Sequence, residues 1–447
     1  MRDIKNITTR KEPLRLGFLL RRKKPSYNNY RNLVEGKPER RRLRLILPVL
    51  ALLLAAYPVV SLLASARNAT SSVTTAQPPK IKPYSPLDPY KSFQLAADSL
   101  PALYAQGDDF LAPLPDGGTI RYSIDQELQE RVKKVMAMYQ VPYGVFVAVE
   151  PKTGRILAMT GHSSLDPRWS RQSFFNLYPM ASLFKIITAS AALEEKKVSP
   201  DTMFAYRGKL TSVNPKYWSV KPGRHNQEMT LATAMGKSVN PVFGRLASDV
   251  VGRNSIMSSV ERFGFNQPLI PGSSIPPSKA EAPQNDMELM LMGAGLGREV
   301  KISPFHAALM MSAIANDGVM MLPSLAQEIK NGKGETIFSQ TPQTARRMVT
   351  PETATQLARM LSTTVSTGTS RKVFHDRRGR PKLADINIAA KTGTIDGKEP
   401  AGHYSWFAAY APINDPQIAL VALIINQEKW KIKASYVGEQ ALEAFFK

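Results

Sequence analysis

Ser182 and Lys185 form a Ser-x-x-Lys pattern in YPMASLFKIITASAALEEKK, where apolar spacing and alanine content predict a helix entered after Pro179. A three-residue step puts both side chains on one helical face, about a turn apart. A hydroxyl so placed can pass its proton to a neutral amine and act as a nucleophile. The helix N-terminus adds backbone N–H groups and a positive dipole end for a developing oxyanion. The chain contains no cysteine, so a covalent nucleophile has to be a hydroxyl, an amine or a carboxylate. The pattern occurs once, and alone it would also fit an ordinary amphipathic helix.

Two further patterns could complete such a site. Ser-x-Asn occurs three times. Ser26-Tyr27-Asn28 precedes an apolar span and falls on its inner side. Ser212-Val213-Asn214 lies in LTSVNPKYWSVKPG, a stretch bounded by Pro and Gly that reads as a loop. Ser238-Val239-Asn240 ends MTLATAMGKSVNPVFGRLA, a helical pattern interrupted by Pro241; a helix end holds a hydroxyl and an amide rigidly, so this copy is preferred and Ser212 is the alternative. Lys-Thr-Gly occurs twice. In Lys152-Thr153-Gly154, between two apolar strands, the glycine is explained as turn chemistry. Lys391-Thr392-Gly393-Thr394 follows INIAA and precedes HYSWFAAYAP. A strand there places a cation, hydroxyls and bare backbone along one edge, where Gly393 lets a ligand's peptide backbone come close.

The elements that position these groups begin beyond a basic arm. Residues 1–44 carry 15 Lys/Arg and 4 Asp/Glu, about half of the formal net charge of +23. The rest is mildly basic, which suits an anionic polymer or a membrane surface and does not call for nucleic acid. Leu45 to Ala66 has no charge and is long enough to cross a bilayer. With Arg40, Arg41, Arg42 and Arg44 before it, the arm is expected in the cytoplasm and everything after Ala66 outside. Ala64-Ser65-Ala66 also resembles a cleavage site, but the preceding region is long for a signal peptide. Residues 67–118 are rich in proline and read as an extended spacer. From residue 119 the texture is mixed: TIRYSID, GVFVAVE, RILAMTG and IALVALIIN read as strands, and QELQERVKKVMAMY and ASYVGEQALEAFF as helices.

The three patterns in this order resemble those of penicillin-binding proteins and serine β-lactamases. SIDQELQ, VAVEPKTGRILAM, GLGREVKISPFHAALMMSAIANDGVMMLP, STTVSTGTS, AAKTGT and WFAAYAP are also similar to transpeptidase-domain segments, so the resemblance covers residues 119–447. It implies an α/β fold of the α+β type: a five-stranded antiparallel sheet flanked by helices, with a mainly helical part beside it. It implies that Ser182 attacks the carbonyl between the last two D-alanines of a peptidoglycan stem peptide. Lys185 takes its proton, its own pKa lowered by burial and by Lys391. Ser238 relays a proton to the leaving D-alanine and Asn240 orients Lys185 and the substrate amide. Lys391, Thr392 and Thr394 hold the terminal carboxylate, and the backbone N–H groups of Ser182 and Thr394 form the oxyanion hole. An acceptor amine then takes the acyl group, and β-lactams imitate the donor. A family member that polymerises glycan carries a separate preceding domain, which a 52-residue spacer would not hold. The expectation is a monofunctional, single-pass enzyme of the cytoplasmic membrane that takes glycan from a separate glycosyltransferase.

Rival readings remain. In a β-lactamase-type hydrolase, water replaces the amine, and Glu281-Ala-Pro-Gln-Asn285 approaches a deacylating Glu-x-x-Leu-Asn frame but lacks the leucine. A D,D-carboxypeptidase differs only in the acceptor. A non-catalytic β-lactam sensor or wall-binding scaffold belongs to another class. His162, His225, His306, His375 and His403 lack metal-ligand spacing, so no metal or cofactor is expected; His403, close after the Lys-Thr-Gly-Thr run, is a candidate to line the cleft.

Overall fold

The computed structural model describes residues 87–223 and 226–447, so the basic arm, the expected span 45–66, the first part of the expected spacer and His225 lie outside the described residues. Among the described residues no helix is long and apolar enough to cross a membrane.

The spacer reading of residues 67–118 fails from Leu87 onward. Helix α1 (Pro89–Ser99) buries Phe93 and Ala96, and Tyr122 Oη donates to Ala96 O at 2.7 Å. Strands Tyr104–Gln106 and Asp109–Pro113 join Thr119–Tyr122, Ala326–Lys330 and Thr336–Ser339 in an antiparallel five-stranded sheet. The prolines that suggested a spacer sit where folded chain tolerates them. Pro89 opens a helix capped by the Asp88 carboxylate, Pro101 lies in a 3₁₀ turn and Pro113 ends a strand. Proline density alone does not separate these cases from an extended chain.

The central sheet holds β1 (Tyr143–Val149), β2 (Ile156–His162), β3 (Ala389–Lys398), β4 (Ala401–Ala411) and β5 (Ile418–Asn426), all antiparallel, in the order β3-β4-β5-β1-β2. Period-2 alternation divides its side chains between two cores. Val145, Val147, Val421 and Leu423 face one, and Phe146, Ala148, Leu420 and Ala422 the other. Every residue of β5 is buried, which is why IALVALIIN reads as an unbroken apolar run. Helices α2 (Gln126–Met138) and Ala434–Phe446 cover the second face. Asp125 caps α2 by accepting from Leu128 N at 2.8 Å.

Pro304–Ala315, buried throughout, packs on the first face against β1, β4 and β5, and α3 (Phe184–Glu194), buried almost throughout, lies among the helices beyond it. Beside them lie α4 (Leu231–Gly236), α5 (Asn240–Arg245), Asp286–Gly293 and α6 (Pro351–Ser366). This is the mixed architecture expected: an antiparallel sheet between helices, with a mainly helical part next to edge strand β3.

Candidate active site

Ser182 sits on a 3₁₀ turn, Ala181–Leu183, that leads into α3. The sequence predicted α-helix from Pro179; the tighter turn arises because Ala181 adopts a left-handed backbone, φ 53°. Gly295, itself at φ 70°, packs its bare Cα against the Ala181 carbonyl, where any side chain would collide. That approach brings the neighbouring Ala294 carbonyl onto the lysine of the pair.

Lys185 has no exposed surface. Its Nζ lies 2.8 Å from Ser182 Oγ, 2.8 Å from Asn240 Oδ1 and 2.5 Å from Ala294 O. The amide and carbonyl oxygens can only accept. A neutral amine has two protons and one lone pair, so its two N–H groups go to these oxygens and the lone pair is left for the Ser182 O–H. Burial first, and the nearby Lys391 charge second, hold the Lys185 pKa well below 10.5.

The Ser238-Val239-Asn240 copy lies between α4 and α5. Ser238, at φ 56°, turns the chain sharply so that its hydroxyl and the Asn240 amide face different lysines. Lys391 Nζ donates to Ser238 Oγ at 2.9 Å, while Asn240 Oδ1 accepts from Lys185. Asn240 Nδ2 donates to Ser212 O at 3.2 Å. The alternative copy is engaged elsewhere: Ser212 Oγ accepts from Trp218 Nε1 at 3.0 Å, and Asn214 Oδ1 accepts from Lys216 N. It supports the site through a carbonyl without entering it.

Lys391 to Thr394 lie on β3, with one side open to an added strand. Lys391 is also fully buried, and desolvation lowers its pKa to about 7. Lys185 feels burial and a neighbouring cation together, whereas Lys391 is lowered by burial alone. Of the two amines, Lys185 is therefore the one more readily left neutral and Lys391 the one more readily charged. Gly393 has a use beyond the one expected. A Cβ there would lie 3.1 Å from Ala181 Cβ and 3.4 Å from Ser182 N, so its bareness admits the protein's own serine turn against the strand. Thr394 is exposed and Thr392 half-buried, the latter with its Oγ1 2.6 Å from Thr369 Oγ1.

Thr369, whose hydroxyl meets Thr392, and the Ala294 carbonyl, which meets Lys185, are groups at the site that sequence reasoning missed. STTVSTGTS was noted only as a similar segment, and a carbonyl has no residue signature. Three other sequence patterns are accounted for by their contacts, the turn at Lys152 as expected. His403 bonds Asp396 at 2.6 Å and stacks on Trp430, away from the lysine pair's contacts. Glu281 is exposed, and Asn285 caps the helix Asp286–Gly293 through Glu288 N. Lys152-Thr153-Gly154 is a turn, Gly154 at φ 78°, with Lys152 paired to Asp415. No cluster of potential metal ligands occurs among the described residues.

Comparison with known proteins agrees with this geometry. Residues 144–447 match the penicillin binding protein transpeptidase domain family. The chain is 28% identical over 353 residues to the peptidoglycan D,D-transpeptidase PbpA of Mycolicibacterium smegmatis, covering 71% of this chain and 69% of that protein. It is similar to the D,D-transpeptidase domain of a peptidoglycan glycosyltransferase from Eggerthella lenta, with TM-score 0.63 and 25% identity over 79% of this chain and 91% of the other. The fold is also that of penicillin-binding protein A from M. tuberculosis in its penicillin G acyl-enzyme complex, with TM-score 0.60 and 23% identity over 74% of this chain and 81% of the other.

Proposed function

The chain belongs to the penicillin-binding protein transpeptidase family, and from that membership we propose that it cross-links peptidoglycan stem peptides through an acyl-enzyme on Ser182. The observation that carries the reading is the fully buried Lys185, its Nζ 2.8 Å from Ser182 Oγ and its pKa held down by burial and by Lys391.

In the first half-reaction, Ser182 Oγ attacks the carbonyl between the two terminal D-alanines of a donor peptide. Its proton passes to Lys185, and the carbonyl oxygen takes up negative charge beside the backbone N–H groups of Ser182 and Thr394. Lys391, with the Thr392 and Thr394 hydroxyls, holds the terminal carboxylate. Ser238 accepts a hydrogen bond from Lys391, which leaves its own O–H to protonate the leaving nitrogen, and the proton that Lys185 took from Ser182 replaces the one Ser238 gives up. The C–N bond breaks, free D-alanine departs and an ester remains on Ser182. In the second half-reaction an acceptor amine attacks that ester, loses a proton through the same groups and forms the cross-link. Ser182 recovers its hydrogen. β-Lactams acylate Ser182 by imitating the donor.

The reading extends beyond the described residues. Residues 45–66 are proposed as a single membrane anchor with residues 1–44 in the cytoplasm, which places the enzyme domain outside; a separate glycosyltransferase is proposed as the source of nascent strands. The test combines fluorescent penicillin labelling with product analysis on defined donor and acceptor peptides. Persistent label that is lost in Ser182→Ala, together with cross-linked product, supports the reading. Rapid release of label indicates a β-lactamase, trimmed donor without cross-link a carboxypeptidase, and stable label without either product a sensor.

A further inference from the structure

Thr369 lies just past the end of α6, in the turn STGTS, and meets the Lys-Thr-Gly strand across 23 residues of sequence. Its Oγ1 is 2.6 Å from Thr392 Oγ1, an ordinary distance for hydroxyl donating to hydroxyl. We propose that Thr369 is a positioning residue for substrate carboxylate: its hydroxyl donates to Thr392, leaving the Thr392 O–H to point at the donor peptide's terminal carboxylate. The inference rests on the transpeptidase reading above.

Each hydroxyl has one proton. If Thr392 donated to Thr369, only oxygen lone pairs of Thr392 would face an arriving carboxylate, and the contact would be repulsive. If Thr369 donates, Thr392 keeps its proton for the anion. The chain Thr369 O–H to Thr392 O–H to carboxylate then runs in one direction, and each bond polarises the next. An anionic ligand selects this second arrangement. A neutral ligand end that can donate does not.

The backbone holds Thr369 in place for this task. Its N–H donates to Gly236 O at 3.0 Å, two residues before Ser238. Gly368 packs against the same carbonyl so closely that a side chain there would collide with it. Thr363 Oγ1 lies 2.8 Å from Ala232 O and 2.6 Å from Met360 O, sharing its proton between α4 and its own helix near the end of α6. The position of the Thr369 hydroxyl is thereby fixed relative to the Ser238 turn. Thr369 is exposed and Thr392 only half-buried, so the pair lies at the protein surface and not within the packed core. Thr392 O also accepts from Lys391 Nζ at 2.9 Å, so the cation and the hydroxyl that would meet the carboxylate are on one fixed piece of backbone.

The test compares the native protein with Thr369→Val, which keeps the branched shape without the hydroxyl, with Thr369→Ala as a second deletion, and with Thr369→Ser. Each acts on two donor peptides that differ only in a C-terminal carboxylate or amide. Deleting the hydroxyl is expected to lower the carboxylate-to-amide ratio of kcat/KM by about tenfold, chiefly through KM, with Thr369→Ser returning to within about twofold of native. The inference is overturned if the ratio is unchanged in both Thr369→Val and Thr369→Ala, even where the rates on both donors fall together; that outcome would make Thr369 a structural tie only. Native protein acylated by neither donor would sink the transpeptidase reading itself, and this inference with it.

Discussion

Replacing Lys185 by methionine tests the centre of the mechanism. The substitution keeps an unbranched chain of similar length and removes the one group able to take the Ser182 proton. General-base assistance is worth about 10²–10⁴ in rate, so acylation is expected to slow by that factor, equivalent to about 3–5 kcal/mol of barrier. The fold should survive. Asn240 Oδ1 and Ala294 O each lose a donor, but a desolvated amine beside Lys391 is lost as well, and Asn240 keeps its bond to Ser212 O. Stopped-flow acylation by a fluorescent penicillin, with thermal denaturation in parallel, measures both effects. The pH profile adds a second criterion. Native acylation rises as Lys185 loses its proton, in a range well below 10.5 because of burial and Lys391, and the methionine variant should lose that limb. Acylation by Lys185→Met within about tenfold of native would refute the assignment, since no general base of ordinary strength contributes so little.

Three further outcomes are expected. Lys391 titrates at about 7 when free, so kcat/KM for carboxylate-bearing donors should fall as pH rises through that value, whereas kcat holds to higher pH because bound carboxylate favours the charged amine; separate pH profiles of the two parameters check this. Gly393→Val would press a branched side chain onto Ala181 Cβ, 3.1 Å from the Cβ position, and onto Trp406 Cβ, 3.2 Å away; displacing the serine turn should cut acylation at least about tenfold, while denaturation records a cost of about 1–3 kcal/mol. His306 is buried between Ser278 Oγ and Phe263 O, and desolvation lowers its pKa to about 4. The unfolded chain then binds its proton near 6.5 and the folded one does not. Stability from this group is complete above about 6.5 and declines toward pH 4, by about 3 kcal/mol in all; urea midpoints at neutral and acid pH should converge for His306→Gln relative to native.

Much of the site was legible because its parts are local. Ser182 and Lys185 lie within one turn, and β3 shows itself as an apolar entry followed by Lys-Thr-Gly-Thr. The all-buried β5 is likewise visible as nine consecutive residues suited to a central strand. What escaped depends on long-range approach. The Ala294 carbonyl reaches Lys185 across 109 residues, and only the packing of Gly295 against Ala181 puts it there. Between the Ser-x-Asn copies at Ser212 and Ser238, helix-end rigidity gave a preference, but their roles separate only through Trp218 and Lys391, neither of them a sequence neighbour of both. Gly393 had a correct position and an incomplete reason. A bare backbone reads the same whether a ligand or the protein itself comes close.

Two of the six non-glycine residues at positive φ among the described residues lie in the site. Ala181 and Ser238 both hold left-handed conformations without being glycine, at about 1–3 kcal/mol each, and each adjoins or bears a reactive hydroxyl. Such conformations persist only where surroundings over-determine them. Ala181 is gripped between Gly295 and Gly393, and Ser238 is held by Lys391 on one side and by its N–H bond to Met235 O on the other. Relaxing either turn would swing a hydroxyl away from its lysine, so the stored strain and the two amine contacts belong to one arrangement. The sheet edge takes part because Gly393 belongs to it. Movement of β3 would therefore shift Lys391 and the wall behind Ser182 together, coupling the proposed carboxylate recognition to the position of the proposed nucleophile.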